Sequence, residues 1–166
     1  MIDIKSMTLE ELEAQGQLEN TVIIGVTDHY TYGYKNEEEL LKLSGVEEKL
    51  WLEKTPCFIW SEDLTPMEVT KTLNTSDFLP TVLNLMGIEP DYDYIGKDAF
   101  DESYEGYALF SDGSWILGDA AYDAGKDQYL YLQEESAPVT PQLRQKMDTL
   151  VAEYTQVNNL ILETDY

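Results

Sequence analysis

The sequence predicts an α/β fold: a mostly parallel sheet with helices, followed by a small antiparallel meander and a C-terminal helix. Three observations carry this. Thr21 to Tyr30, TVIIGVTDHY, holds consecutive β-branched residues Val22, Ile23 and Ile24, the pattern of a strand buried on both faces of a parallel sheet. Segments with helix caps alternate with such strands through the first half of the chain. Asp112-Gly113, flanked by apolar runs, and the alternating Gln128 to Gln133 then mark hairpins ahead of a long helical stripe.

From the start, Thr8-Leu9-Glu10-Glu11 spells a capping box, with Met7 and Leu12 placed for a hydrophobic staple and Gly16 as the stop. Leu18-Glu19-Asn20 leads into the strand. Asn36 with Glu39 predicts a helix to Ser44, closed by Gly45. Val46, Leu50 and Trp51 fall at helical spacing. Thr55 to Ser61, TPCFIWS, is a second strand, with Pro56 at its first position and Cys57 in its apolar run, read as core. Glu62 to Asn74 is polar and reads as an exposed excursion, with a short strand at Glu68 to Thr72.

Thr75 to Ile88, TSDFLPTVLNLMGI, is a well-marked helix. Ser76 or Asp77 caps it, Pro80 falls in the first turn, and Gly87 ends it. Phe78, Val82, Leu85 and Met86 form its expected buried face. Asp91 to Glu102 comes close to a calcium-binding loop, but Ile95 occupies a ligand position; an acidic loop turning at Gly96 is the better reading. Thr140-Pro141 opens the last helix, whose Leu143, Met147, Leu150, Val151, Tyr154, Val157 and Ile161 share a face. Residues 1–106 are expected to form the α/β core and 107–166 the meander plus helix.

Composition sets limits on function. At 166 residues the chain can bury a real core, and 43% hydrophobic residues is ordinary. Ten Lys and Arg against 33 Asp and Glu give a formal net charge of -23. Such a charge repels nucleic acid and anionic lipid, and favours cations, basic partners or plain solubility. The lone Cys57 excludes an internal disulfide and a cysteine-based zinc site. No apolar run approaches the roughly 18 residues of a membrane span, so the chain as given is expected to be soluble.

Candidate site residues follow from chemistry and position. Ligands of open α/β sheets bind beyond the carboxyl ends of strands, where Asp28 and the sole histidine, His29, stand. Together they offer a hard carboxylate oxygen and an imidazole nitrogen, which suit Mn²⁺ or Zn²⁺ better than Ca²⁺. The plainer alternative has Asp28 capping the next turn and His29 as a half-buried polar residue. Tyr30 to Tyr34 and Lys35 follow directly and either contact a substrate or simply cover the loop.

A hydrophobic strand closing on Asp28-His29-Tyr30 resembles the metal-binding strand of the alkaline phosphatase/sulfatase superfamily, most nearly that of lipoteichoic acid synthase-type phosphoglycerol transferases. Thr27 stands where those proteins have glycine. Asp77, Pro80, Thr81, Gly87 and Ile88 match the Asp-x-x-Pro-Thr helix of the superfamily, and Gly96-Lys97-Asp98-Ala99-Phe100 matches its Gly-Lys/Thr-Asp-Leu-Phe segment. The matching region runs from about Leu12 to Phe110, well over half of the chain.

The resemblance implies the C-terminal part of a larger metal-dependent enzyme that transfers glycerol phosphate or hydrolyses phosphate or sulfate esters. Asp28 and His29 would be metal ligands. The metal would be Mn²⁺ first, with Zn²⁺ or Mg²⁺ as alternatives, and further ligands and the Thr or Ser nucleophile would come from upstream. The parent would be anchored in a bacterial cell membrane with its catalytic domain outside. Alone, the chain is expected to be inactive, with the missing N-terminal part as its first partner and self-association through an exposed sheet edge as a second possibility. A mutase or phosphodiesterase of the same superfamily would share the Asp-His strand. The alternative from another class is a non-catalytic acidic interaction module that kept the fold.

Overall fold

The computed structural model describes residues 8–30, 33–89 and 94–164. The chain divides into two compact units, with the boundary between Glu68 and Val69.

In the first unit, α1 (Leu9–Ala14) starts from the predicted capping box. The Glu11 amide donates to Thr8 Oγ1 at 3.3 Å, and the Thr8 amide donates to Glu11 Oε2 at 2.8 Å. Leu12 is buried; its proposed staple partner, Met7, lies outside the described residues. A 3₁₀ turn, Leu18–Asn20, leads to strand β1 (Ile23–Val26). Helix α2 (Glu37–Ser44) is capped by the Asn36 side chain, and Gly45 ends it in the left-handed region at φ 69°. A 3₁₀ segment, Lys49–Glu53, buries Trp51 and Leu52 rather than the expected Leu50. Strand β2 (Cys57–Trp60) completes the unit.

β1 and β2 pair antiparallel, with Ile23 opposite Trp60 and Val26 opposite Cys57. The sequence reading of β1 as a doubly buried strand in a parallel sheet is corrected here. Two strands bury one face at best, and an antiparallel pair tolerates water on the other. Accordingly Ile23 and Gly25 are half-buried, while Ile24 and Val26 are 40% and 54% exposed. Cys57 shares the exposed side and is not a core residue. Gly25 lies directly under its cross-strand neighbour: a Cβ there would stand 2.2 Å from the Phe58 ring, which would have to swing aside.

In the second unit, the stretch expected as a short strand, Glu68 to Thr72, carries no regular structure. A 3₁₀ turn, Thr75–Asp77, runs into α3 (Phe78–Leu85). Asn74, two to three residues earlier than the expected caps, closes the 3₁₀ turn in a capping box with Asp77, and Asp77 itself stands at the N-cap position of α3 without a side-chain cap bond. Gly87 ends the helix at φ 64°. The expected apolar face is only half-buried, and Met86 is 53% exposed; the fully buried residues here are polar, Asp77 and Thr81.

The meander has four antiparallel strands in sequential order: β3 (Ala108–Leu109), β4 (Trp115–Leu117), β5 (Ala120–Asp123) and β6 (Gln128–Tyr131). The Asp112-Gly113 turn falls as predicted; β5 and the Gly118-Asp119 turn ahead of it are additional. Helix α4 (Pro141–Thr164) starts at Thr140, whose hydroxyl accepts from the Leu143 amide at 3.1 Å. Its Leu143, Met147, Leu150 and Val151 pack on a core of Trp115 and Tyr122. The same stripe continues past that core, where Val157 and Ile161 are exposed instead of buried. The fold is thus of the α/β class, with mixed helices and strands ending in an antiparallel sheet and a long helix.

Candidate functional site

Asp28 and His29 lie just past the carboxyl end of β1, which stops at Val26. Their side chains turn toward each other, with His29 Nε2 3.4 Å from Asp28 Oδ2. His29 Nδ1 lies 2.5 Å from the Tyr30 carbonyl oxygen. A carbonyl can only accept, so Nδ1 donates there, and Nε2 is the ring nitrogen that faces Asp28. Both side chains face solvent, at 88% exposure for Asp28 and 42% for His29.

The donor set is chemically suited to a divalent metal: one carboxylate oxygen and one imidazole nitrogen whose other nitrogen is held by a carbonyl, the usual support of a histidine ligand. It is short in number. Catalytic sites need about three protein ligands, and among the described residues no three His, Cys, Asp or Glu side chains come together. Lys35, also noted in the sequence, lies beyond a loop whose Thr31 and Tyr32 fall outside the described residues, as do Asp91 and Asp93 of the calcium-loop pattern.

A second constellation ties the other two motifs together. Asp77 is 2% exposed, yet every oxygen of its carboxylate is engaged. Oδ1 accepts from the Lys97 amide at 2.7 Å, and Oδ2 accepts from the Asn74 amide and the Tyr104 hydroxyl, both at 2.8 Å. One turn on, the Thr81 hydroxyl donates to the Asp77 carbonyl at 2.6 Å and accepts from the Ala99 amide at 2.9 Å. Gly96 packs so closely on the Ser76 carbonyl that a Cβ would come within 2.0 Å of its oxygen. Asn74 Oδ1 accepts from the Leu109 amide at 3.0 Å, which joins α3 to the first strand of the meander. Burial, reinforced by the Asp77 carboxylate, pushes the Tyr104 phenol far above its ordinary pKa.

Sequence reading treated Asp77 as a helix cap and missed this bracing role. The signal was present as Asp and Thr four residues apart on one helix face, followed by a Gly-led segment rich in backbone donors.

The family model described as Sulfatase matches residues 6–88, half of the chain, and takes in β1, Asp28, His29 and the whole of α3. The chain belongs to the sulfatase family. Two curated relatives resemble this sulfatase-family chain, both from Bacillus subtilis (strain 168). Lipoteichoic acid synthase-like YvgJ is 25% identical over 123 residues, covering 69% of this chain and 20% of that protein. Lipoteichoic acid synthase 2 is 25% identical over 122 residues, covering 70% of this chain and 19% of that protein. The chain therefore spans about a fifth of the length of the curated relatives it matches.

Proposed function

We propose that this sulfatase-family chain supplies one edge of a metal-dependent catalytic site that acts on phosphate or sulfate esters, with glycerol phosphate transfer as the leading reaction. The observation that carries the reading is the convergence of His29 Nε2 and Asp28 Oδ2 at the end of β1. Relatives named as lipoteichoic acid synthases support the transferase branch. Asp28 and His29 would hold the metal, Mn²⁺ before Zn²⁺ or Mg²⁺, together with ligands from elsewhere in a longer protein.

When bound, such a metal supplies charge stabilisation to a phosphoryl or sulfuryl oxygen and lowers the pKa of a nucleophile. The chain's own part is to aim the ligands. The Tyr30 carbonyl orients the His29 ring through Nδ1, and β1 sets the direction in which both side chains leave the sheet. Its parent would be membrane-anchored with an extracellular catalytic domain. No helix among the described residues is long and apolar enough to cross a membrane, so an anchor would belong to another part of that protein.

The test is Mn²⁺ titration of the chain followed by NMR. Selective broadening of the His29 ring resonances, lost in Asp28→Ala, is expected. Broadening spread evenly over the acidic surface, or unchanged in Asp28→Ala, would overturn the assignment. The chain alone is expected to leave p-nitrophenyl phosphate and sulfate intact; hydrolysis that vanishes in Asp28→Ala would show instead that it holds a complete site. The alternative reading, an acidic interaction module without chemistry, draws on the 33 acidic residues. It predicts salt-sensitive capture of a basic partner that Asp28→Ala leaves unchanged.

A further inference from the structure

Outside the region of Asp28 and His29, the second unit carries an open groove of about 760 Å³ along one side of α4, bordered by Tyr129 of β6. We propose that this groove is a subsite for a neutral, hydroxyl-rich ligand: a polyol or a sugar ring. The proposal is independent of the metal-site reading.

Three features point to that chemistry. First, the groove has a pre-set polar centre. The Arg144 guanidinium lies over the Tyr122 ring, 3.6 Å from its centroid, and its Nε meets both oxygens of Asp148 at 2.6 and 2.8 Å. An arginine held on both sides loses little rotamer freedom on binding. Second, the Tyr129 ring is 39% exposed at the groove wall, an apolar plate with a hydroxyl 3.4 Å from Arg144 Nη1. Third, Gln145, Asp148 and Glu153 line the groove with amide and carboxylate groups around the small Ala152. The rest of the lining is mostly apolar, with Val139 and Pro141 on its wall, and suits the C–H face of a sugar ring.

Charge removes the main competitors. One arginine against two carboxylates leaves the lining at about -1, inside a chain of -23, so an anionic ester is repelled. A bare cation gains little, because Asp148 is already neutralised by Arg144.

Amide-detected NMR of the full chain, titrated with glucose, maltose and sn-glycerol 3-phosphate, tests this. Saturable shifts at Gln145 and Ala152 with either sugar, at millimolar Kd, are expected, with the anion at least tenfold weaker. Ala152→Trp places a large ring on the groove lining and should weaken the sugar at least tenfold, while the buried Trp115 indole resonance confirms the fold. Absence of saturable sugar shifts, preference for the anion, or unchanged binding in Ala152→Trp would each overturn the proposal.

Discussion

The Lys97 amide donates to Asp77 Oδ1 at 2.7 Å across twenty residues of sequence. This bond makes one structural piece of two motifs that look separate in the sequence. An acid within a helix start and a Gly-Lys-Asp segment are each weak signals; joined through one buried carboxylate, they define where the strand after them begins. The same carboxylate also holds Tyr104, so α3, the loop and the approach to the meander share one brace.

Asp77→Ala should therefore be costly although it removes few atoms. It leaves the Asn74 and Lys97 amides and the Tyr104 hydroxyl without their acceptor. Each buried donor left unpaired costs about 1–3 kcal/mol, so a loss on the order of 3 kcal/mol is expected. Urea unfolding monitored by tryptophan fluorescence measures it; a loss under about 0.5 kcal/mol, typical of an open surface position, would show that the brace is not needed.

Gly96→Ala tests the same junction from the other side. Its Cβ would collide with backbone, Ser76 O at 2.0 Å, and not with a movable side chain. Overpacking of this kind costs about 1–3 kcal/mol or more. Gly33→Ala, with no described residue within 4 Å of the new carbon, is the matched control and should leave the unfolding midpoint in place.

Alkaline pH should loosen the second unit. The Tyr104 phenol is held well above its ordinary value by burial and by Asp77. An unfolded tyrosine ionises near pH 10. Above that pH the unfolded chain has lost a proton that the folded chain keeps, so stability is fully present below about pH 10 and falls as pH rises beyond it. Tyr104→Phe should flatten the decline between pH 9 and 11 relative to the parent. An identical slope in both proteins would assign the effect to other groups.

The two halves of α4 should respond differently to truncation. Met147 is fully buried against Trp115 and Tyr122, and Met147→Ala should cost about 2–5 kcal/mol. Val157, on the same stripe but 41% exposed, should cost under about 0.5 kcal/mol. Thermal unfolding followed at 222 nm separates these outcomes.

Local signals carried much of the fold. Thr8 with Glu11, Asn36, Thr140-Pro141, Gly45, Gly87 and Asp112-Gly113 each lie where side-chain or turn chemistry acts within four residues, and each appears as read. What misled was long-range. The run Val22-Ile23-Ile24 has the same composition whether one or both faces are covered, so it could not reveal that β1 pairs only with β2 among the described residues. Cys57 and Val157 were placed inside on hydrophobicity alone, and that property does not report what lies opposite. At the candidate site, the adjacency of Asp28 and His29 was legible, whereas the Tyr30 carbonyl that orients the imidazole is backbone and leaves no mark on composition.

The pairing of β1 with β2 also bears on how copies of this chain behave toward one another. Thr21 to Thr27 and Thr55 to Ser61 contain no charge, in a chain of -23. Each strand presents one unpaired rim among the described residues, a ready template for intermolecular pairing. In dilute buffer the acidic envelope keeps those rims apart. Near 1 M salt the Debye length shrinks to about 3 Å, the envelope no longer reaches past the surface, and two rims can meet. Self-association through these rims is then expected to grow as ionic strength rises.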